Sequence, residues 1–312
     1  IDKGVAPSAP QQIAWEEMSD DGMGFANARI NLLDEQLLEN INSVQTSNNI
    51  KQSSSLVGHL GRCSLDIEME TGTGKTYVYI RTMFELNRRY GWSKFIVVVP
   101  SIAIREGVAK SFDMTEEHFF QIYGKKIRRF IYNSSNLTEI DRFSSSKDIY
   151  CMIINSQAFA SSLKEGAKNE AARIIYSKQD SFRSRRPIDV IAANRPIIIL
   201  DEPQKLGGEA TQTSLKRFNS LFTINYSATH KESHNPVYVL DALDAYNQKL
   251  VKKIEVKGFE LKNLRGTHGY VYLSEIVLSK DQPPKARIGF EINYKKGINR
   301  EMRLCSKGYD LY

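Results

Sequence analysis

Histidine and cysteine are scarce in this sequence, and long apolar runs are missing. The 312 residues include three cysteines, Cys63, Cys151 and Cys305, and five histidines. The cysteines are far apart and odd in number, so they make neither a zinc-ligand spacing nor a disulfide framework, and a reducing cytoplasm is the expected compartment. No HExxH pattern or other paired-histidine spacing occurs, which argues against metal chemistry built on His and Cys. No stretch approaches the ~20 apolar residues that a bilayer-spanning helix needs. The richest run, Phe95 to Ile104, is short and broken by Pro100, so no membrane partner is expected. There is no charged-then-apolar leader, and the chain opens on Ile1, as a fragment of something longer would.

What remains is an ordinary globular composition. Hydrophobic residues make up 41% and charged residues 25%, enough to bury a sizeable core in a chain near the two-domain prior. Lys and Arg number 43 against 36 Asp and Glu, a formal charge of +7. That balance admits a polyanionic partner but points to nucleic acid only weakly.

The first 60 residues are polar. Ile30 to Ile41 has a helical apolar rhythm, and Ser43 to Ser55 reads as a loop. Cys63, Leu65, Ile67 and Met69 alternate with Ser64, Asp66 and Glu68, the period of a strand with one buried face. Thr71 to Gly74 follows as a tight turn. Tyr79, Met83, Leu86 and Tyr90 then recur at helical spacing, with Gly91 as the stop. Phe95 to Val99 is the kind of run a fully buried parallel strand shows, and Ser101 caps a helix through about Ser111. Ile149 to Ile154, Ile197 to Leu200 and Phe222 to Tyr226 are further buried strands. A long helix is expected from about Gln157 to Tyr176. Strands alternating with helices imply a parallel α/β sheet covered on both faces. Beyond about residue 250 the pattern changes. Lys252 to Leu261, Tyr270 to Leu278 and Ala286 to Tyr294 read as strands of an antiparallel, β-rich module. The expected division is an α/β domain over 1–250 and a β-rich module over 251–312.

The chemistry concentrates at strand ends. Gly72-Thr73-Gly74-Lys75-Thr76 lies between a strand and a helix. Glycines let backbone N–H groups approach a phosphate chain, a helix N-terminus favours its charge, Lys reaches the terminal phosphates and a hydroxyl serves Mg²⁺. Met69 stands where the full pattern has Gly, so the match is to a relaxed form of a nucleotide-binding loop. Asp201-Glu202 follows the strand Ile197 to Leu200 at its carboxyl end, where a doubly wound sheet places its ligand chemistry. Asp201 would hold Mg²⁺ and Glu202 would orient or deprotonate a hydrolytic water. Alone the pair reads equally well as a solvated turn, and it gains meaning from the phosphate loop. Ser227-Ala228-Thr229-His230 follows the next strand, with two hydroxyls placed to sense the metal site. Two basic clusters, Lys125 to Arg129 and Arg183 to Arg186, are read as solvated faces, with phosphate binding as the alternative.

Taken together, Met69 to Thr76 (METGTGKT), Asp201 to Gln204 (DEPQ) and Ser227 to His230 (SATH) resemble motifs I, II and III of a superfamily-two helicase motor. DEPQ is neither DEAD nor DEAH. With Val98 to Glu106, Asn155 to Phe159 and Arg185 to Val190, the pattern over residues 60–256 resembles the restriction (Res) subunit of type III restriction-modification enzymes. The resemblance implies a RecA-like domain that binds ATP and Mg²⁺, belonging to a site-specific deoxyribonuclease of prokaryotic cytoplasm. Its hydrolysis would drive movement along double-stranded DNA before cleavage, beside a Mod methyltransferase subunit that reads the DNA site. Carried over by motif, Thr71, Gly72, Thr73, Gly74, Lys75 and Thr76 hold the nucleotide, with Gln204 beside it. Thr76 and Asp201 take the metal, while Glu202 with Asp201 and Lys75 forms the catalytic set. Ser227 and Thr229 couple hydrolysis to movement. Pro100, Ser101, Arg105, Asn155, Ser156 and Gln157 fall where such motors touch the DNA backbone.

The departures from the pattern also carry expectations. After His230 there is no second strand-and-helix series, no motif V or VI, and no PD…(D/E)xK nuclease signature. The only upstream candidate for an adenine contact is Gln11 or Gln12. The chain is therefore expected to be the N-terminal part of a larger subunit, without cleavage and without efficient hydrolysis on its own. Two other readings stay open: a different superfamily-two helicase or remodeller, and a nucleotide-binding docking module that never turns over unaided.

Overall fold

The computed structural model describes residues 11–14, 23–58, 60–160, 173–206, 208–230, 233–252, 271–279, 281–295 and 297–306. Contacts divide the chain into two compact units, Ile1–Lys253 and Ile254–Tyr312.

The first unit is built on a seven-stranded sheet. Its strands are β3 (Ser64–Met69), β4 (Lys94–Val99), β5 (Arg128–Ile131), β6 (Tyr150–Asn155), β7 (Ile197–Asp201), β8 (Thr223–Ser227) and β9 (Asn235–Leu240). Their order is β5-β6-β4-β7-β8-β3-β9, and every pairing is parallel. A small antiparallel pair, β1 (Gln11–Ala14) with β2 (Met23–Ala26), precedes it. The helices are α1 (Asp34–Ser47), α2 (Lys75–Tyr90), α3 (Ile102–Tyr123), α4 (Thr138–Ser145), α5 (Pro187–Ala193), α6 (Glu209–Lys216) and α7 (Ala242–Asn247).

All residues of β4, β6 and β7 are buried, so their unbroken apolar runs supply both faces at once. Phe95, Val97, Val99, Ile197 and Ile199 form one core with Tyr79, Met83 and Phe84 of α2 and with Phe112 and Phe119 of α3. Ile96, Val98, Met152, Ile198 and Leu200 form the other, against Phe143 of α4, Val190 of α5 and Leu215 of α6. Each such side chain contributes about 1.5–3 kcal/mol by leaving water.

Several expectations need correction. β3 is covered on both faces: Asp66 is 1% exposed and Ser64 equally buried, so the alternation marks two kinds of cover rather than core and solvent. The helix from Ser101 runs on to Tyr123 because Phe112 and Phe119 extend its buried stripe, and Gly124 ends it at φ 64°. The helix over α1 starts only at Asp34 and takes in part of the segment read as a loop. Gln45 is buried there and donates to the Pro236 carbonyl at 2.8 Å. β9 and α7 were not expected; Pro236 and the shortness of the run hide an edge strand. Of the helix expected over Gln157 to Tyr176, Ser156–Ala158 forms a single 3₁₀ turn, and 161–172 lie outside the described residues.

The second unit contains an antiparallel sheet, β10 (Val271–Val277), β11 (Lys285–Tyr294) and β12 (Gly297–Cys305), in that order. The strand expected over Lys252 to Leu261 lies, beyond Lys252, outside the described residues. A parallel α/β domain followed by a β-rich unit is the expected fold class.

Candidate functional site

The phosphate loop leaves the carboxyl end of β3. Gly72 and Gly74 adopt φ of 86° and 92°, left-handed values that cost side-chain-bearing residues energy. A Cβ at either position would meet nothing within 4 Å, so the glycines serve the backbone turn and an approaching ligand rather than packing. Glu70 shapes the turn: its carbonyl accepts from Thr73 Oγ1 at 2.6 Å and its carboxylate accepts the Thr71 N–H at 2.7 Å. Nothing in the sequence pattern singled Glu70 out. Gly74 is the N-cap of α2, so the uncapped N–H groups of that helix face the loop.

β7 lies one strand away, with β8 between it and β3. Asp201 ends β7 and is 6% exposed. Burial, and next the Glu202 carboxylate, push its carboxyl up to about 6, against the pull of Lys75 and Lys205. Glu202 is held at φ 57° and ψ 60°, strained for a residue with a Cβ, and its N–H donates to the Tyr226 carbonyl at 2.9 Å. Lys75 Nζ donates to Glu202 Oε1 at 2.6 Å and lies 3.4 Å from the Met69 carbonyl. Burial would raise the Glu202 carboxyl, but the Lys75 hydrogen bond and charge, with a bond from Gln204, hold it below the usual range. Gln204 Nε2 donates to Glu202 Oε2 at 2.6 Å, and Gln204 Oε1 lies 2.9 Å from the Ser227 hydroxyl. Ser227 Oγ also lies 2.7 Å from the Thr229 carbonyl and accepts the Thr229 N–H at 3.1 Å. Motifs I, II and III are thus one connected network.

The expected DNA-backbone residues also come together. Val99 of β4 pairs with Asn155 of β6, which puts Pro100-Ser101 and Asn155-Ser156-Gln157 side by side at the carboxyl edge of the sheet. Ser101 caps α3, accepting from the Ile104 N–H at 3.4 Å, and Arg105 in the first turn reaches Asn155 Oδ1 at 3.4 Å and Glu106 at 2.9 Å.

Two expectations do not come to this edge. β1, which carries Gln11 and Gln12, pairs with β2, and the Phe25 carbonyl at its end accepts from Asn194 just ahead of β7. Next in the chain, Asn27 bonds Ser93 and Lys94 at the start of β4. That is the amino end of the sheet, opposite the phosphate loop. The basic cluster 125–129 lies there too, and three of its four cations meet nearby carboxylates: Lys126 with Glu116 at 2.6 Å, Arg128 with Asp148 at 2.9 Å, and Arg129 with Asp113. Arg185 and Arg186 pair with Asp141 and Asp189 at 2.5 and 2.6 Å. These contacts commit the paired side chains to protein carboxylates, and Arg185, 11% exposed, is packed rather than solvated.

The donor set fits a nucleotide with a divalent cation. Backbone N–H groups and Lys75 match phosphate oxygens, and the Thr76 hydroxyl and Asp201 carboxylate are the hard oxygen ligands Mg²⁺ prefers. Among the described residues no helix is long and apolar enough to cross a membrane.

Comparison with known proteins agrees with this geometry. The family model described as "Type III restriction enzyme, res subunit" matches residues 30–232. The chain is 33% identical over 251 residues to the EcoP15I Res subunit of Escherichia coli, covering 74% of this chain and 25% of that protein. It is 32% identical over 250 residues to the EcoPI Res subunit of Escherichia phage P1, with the same coverage. To the StyLTI Res subunit of Salmonella typhimurium it is 27% identical, over 67% of this chain and 24% of the relative. The chain therefore spans about a quarter of the length of these relatives. With the phosphate loop, the acidic pair and the SATH segment all inside the matched region, the chain belongs to the type III restriction enzyme Res subunit family.

Proposed function

We propose that this chain is the ATP-hydrolysing motor portion of a type III restriction endonuclease, turning hydrolysis into translocation or sliding along double-stranded DNA beside a Mod methyltransferase subunit. The observation that carries the reading is the side-chain path Lys75–Glu202–Gln204–Ser227–Thr229, which ties the phosphate loop to the next strand end. Thr71 to Thr76 would cradle the phosphates, and Thr76 and Asp201 would hold Mg²⁺. When bound, that ion neutralises charge on the terminal phosphate oxygens.

Glu202 would orient and deprotonate the hydrolytic water. While Lys75 holds it, Glu202 would be a poor base. A phosphate chain that draws Lys75 away removes the first of the influences lowering its carboxyl and leaves burial, which raises it. Basicity would then rise only with substrate in place. Gln204 and Ser227 would pass the state of Glu202 to Thr229. Pro100, Ser101, Arg105, Asn155, Ser156 and Gln157 would meet the DNA backbone. Cleavage is assigned to the longer protein outside this chain. An arginine finger from a second domain would complete the ATP site.

The test is ATP hydrolysis with and without duplex DNA, by this chain and by the longer protein. DNA-stimulated turnover confined to the longer protein is expected. Equal, DNA-independent behaviour of both would sink the motor reading and leave a nucleotide-binding module.

A further inference from the structure

β8 and β9 both pair with β3 and run parallel to it, one on each side. The chain leaving Ser227 must therefore come back across one face of β3 before it reaches Asn235. Parallel strands are usually joined by about a dozen residues or more, most often through a helix. Here residues 228–234 make the return, of which 231 and 232 lie outside the described residues. The return carries Thr229 and His230, the end of the SATH segment.

Its two ends are held differently. At the start, Ser227 Oγ lies 2.9 Å from Gln204 Oε1, on the path to Glu202 and Lys75. At the far end the hold is Asp66, in the middle of β3 and 1% exposed. The His234 backbone N–H donates to Oδ2 at 2.7 Å, the His234 ring Nδ1 lies 3.1 Å from Oδ1, and Asn225 Nδ2 donates to Oδ1 at 2.7 Å. Between these ends, the His230 ring places Nε2 3.3 Å from the Ile67 carbonyl and Nδ1 4.0 Å from Asp66 Oδ1. Burial alone would raise the Asp66 carboxyl, but the bonds from His234 and Asn225 keep it below the ordinary range.

Taking a carboxylate out of water is expensive, and stability alone does not call for one here. A neutral amide at position 66 would fill the same space, with the Asn225 side chain turned over. Asn225 Oδ1 has no hydrogen-bond partner among the described residues and is an acceptor for such an amide. What the charge adds is convergence: main chain and ring of His234 meet on one carboxylate, through the stronger class of hydrogen bond.

We propose that Asp66 is a positioning residue for the segment after Ser227, pinning its far end so that a change at Gln204 is passed to Thr229 and His230. Asp66 would thus regulate the motor activity proposed above, and its part in DNA stimulation rests on that reading. None of its bonds reaches the phosphate loop, so nucleotide affinity does not depend on it.

The test has two arms. In the full 312-residue chain, the ring signals of His230 and His234 are followed by NMR while β,γ-imido-ATP and Mg²⁺ are added. A saturable His230 shift is expected in the wild type. In Asp66→Asn that shift should collapse, while affinity by calorimetry stays within about twofold, as for independent sites. In the longer protein, Asp66→Asn and His234→Leu should each cut the DNA stimulation of ATP hydrolysis about tenfold, a common size for coupling between sites. The rate without DNA should hold. His234→Asn, whose amide nitrogen takes the place of ring Nδ1, should restore the stimulation. His234 is partly exposed, with 19% of its side-chain surface open, so its variants serve if Asp66→Asn does not fold. Wild-type stimulation in Asp66→Asn or in His234→Leu, or equal loss of both rates, would overturn the proposal. A wild-type protein indifferent to DNA would sink the motor reading instead, and the NMR arm then decides on Asp66. A His230 shift that is absent from the wild type, or that survives in Asp66→Asn, would overturn its role.

Discussion

Lys75 and Glu202 touch, yet their substitutions should separate cleanly. Lys75→Ala removes the main cation for the phosphates and leaves Glu202 buried without its partner. Nucleotide affinity measured by calorimetry should fall at least ~10-fold, the scale of one charge-assisted hydrogen bond. Glu202→Gln keeps size and hydrogen bonding but not basicity. Binding should persist while hydrolysis by the longer protein slows at least ~10²-fold, the lower range for a general base. An unimpaired rate would move the water-activating role elsewhere. Asp201 makes a different point. Its folded carboxyl titrates near 6 and its unfolded one near 3.8. Between those values the folded state binds the extra proton, so stability falls as pH rises through the window, and at pH 7 the full penalty is present. Asp201→Asn should therefore stabilise the protein at pH 7, by on the order of 3 kcal/mol, and flatten that slope in urea unfolding from pH 4 to 7. A destabilised variant would show that Asp201 is structural.

At the scale of elements, β4, β6 and β7 were legible because a strand buried on both faces has a composition nothing else imitates over five or six residues. The start and stop of α2 were legible through Gly74 and Gly91, whose φ of 92° and 72° glycine alone adopts readily. Less visible was α4, held by a lysine from another element. Lys94 is fully buried, and its Nζ donates to the carbonyls of Phe143, at 2.5 Å, and of Ser146, where α4 ends. Burial brings its pKa down to about 7, with Asp148 opposing. The unfolded chain takes up this proton below about 10.5 and the folded one only below about 7. Stability should thus rise from pH 7 to 10 by up to about 1.4 kcal/mol per unit. Lys94→Met should abolish that rise, as urea midpoints at pH 7, 8 and 9 will reveal. A lysine opening an apolar strand offers no sequence cue that it caps a helix 50 residues on.

Across the whole molecule, the nucleotide motifs were readable one at a time, since each is a local answer to a local problem at a strand end. Their connection was not. Gln204 touching Glu202 and Ser227 depends on β7 lying beside β8, a matter of strand order. The Asp66, Asn225 and His234 cluster escaped notice for the same reason: it joins residues some 160 positions apart. Asp66 read as the solvent side of an alternating strand until both neighbours were in place. Net charge was least informative, because three of the four cations in the densest basic segment are spent on nearby carboxylates.

Strand order also sets a timetable. β3 carries the phosphate loop, yet its only neighbours in the sheet are β8 and β9, which leave the ribosome roughly 150 residues later. At about 5–20 residues per second, that strand waits on the order of 8 to 30 s with both edges unpaired. Throughout that interval the nascent chain has the complete loop sequence and no site. A nucleotide seat at that loop would be complete only after Leu240 has emerged, and until then β3 carries two unpaired edges.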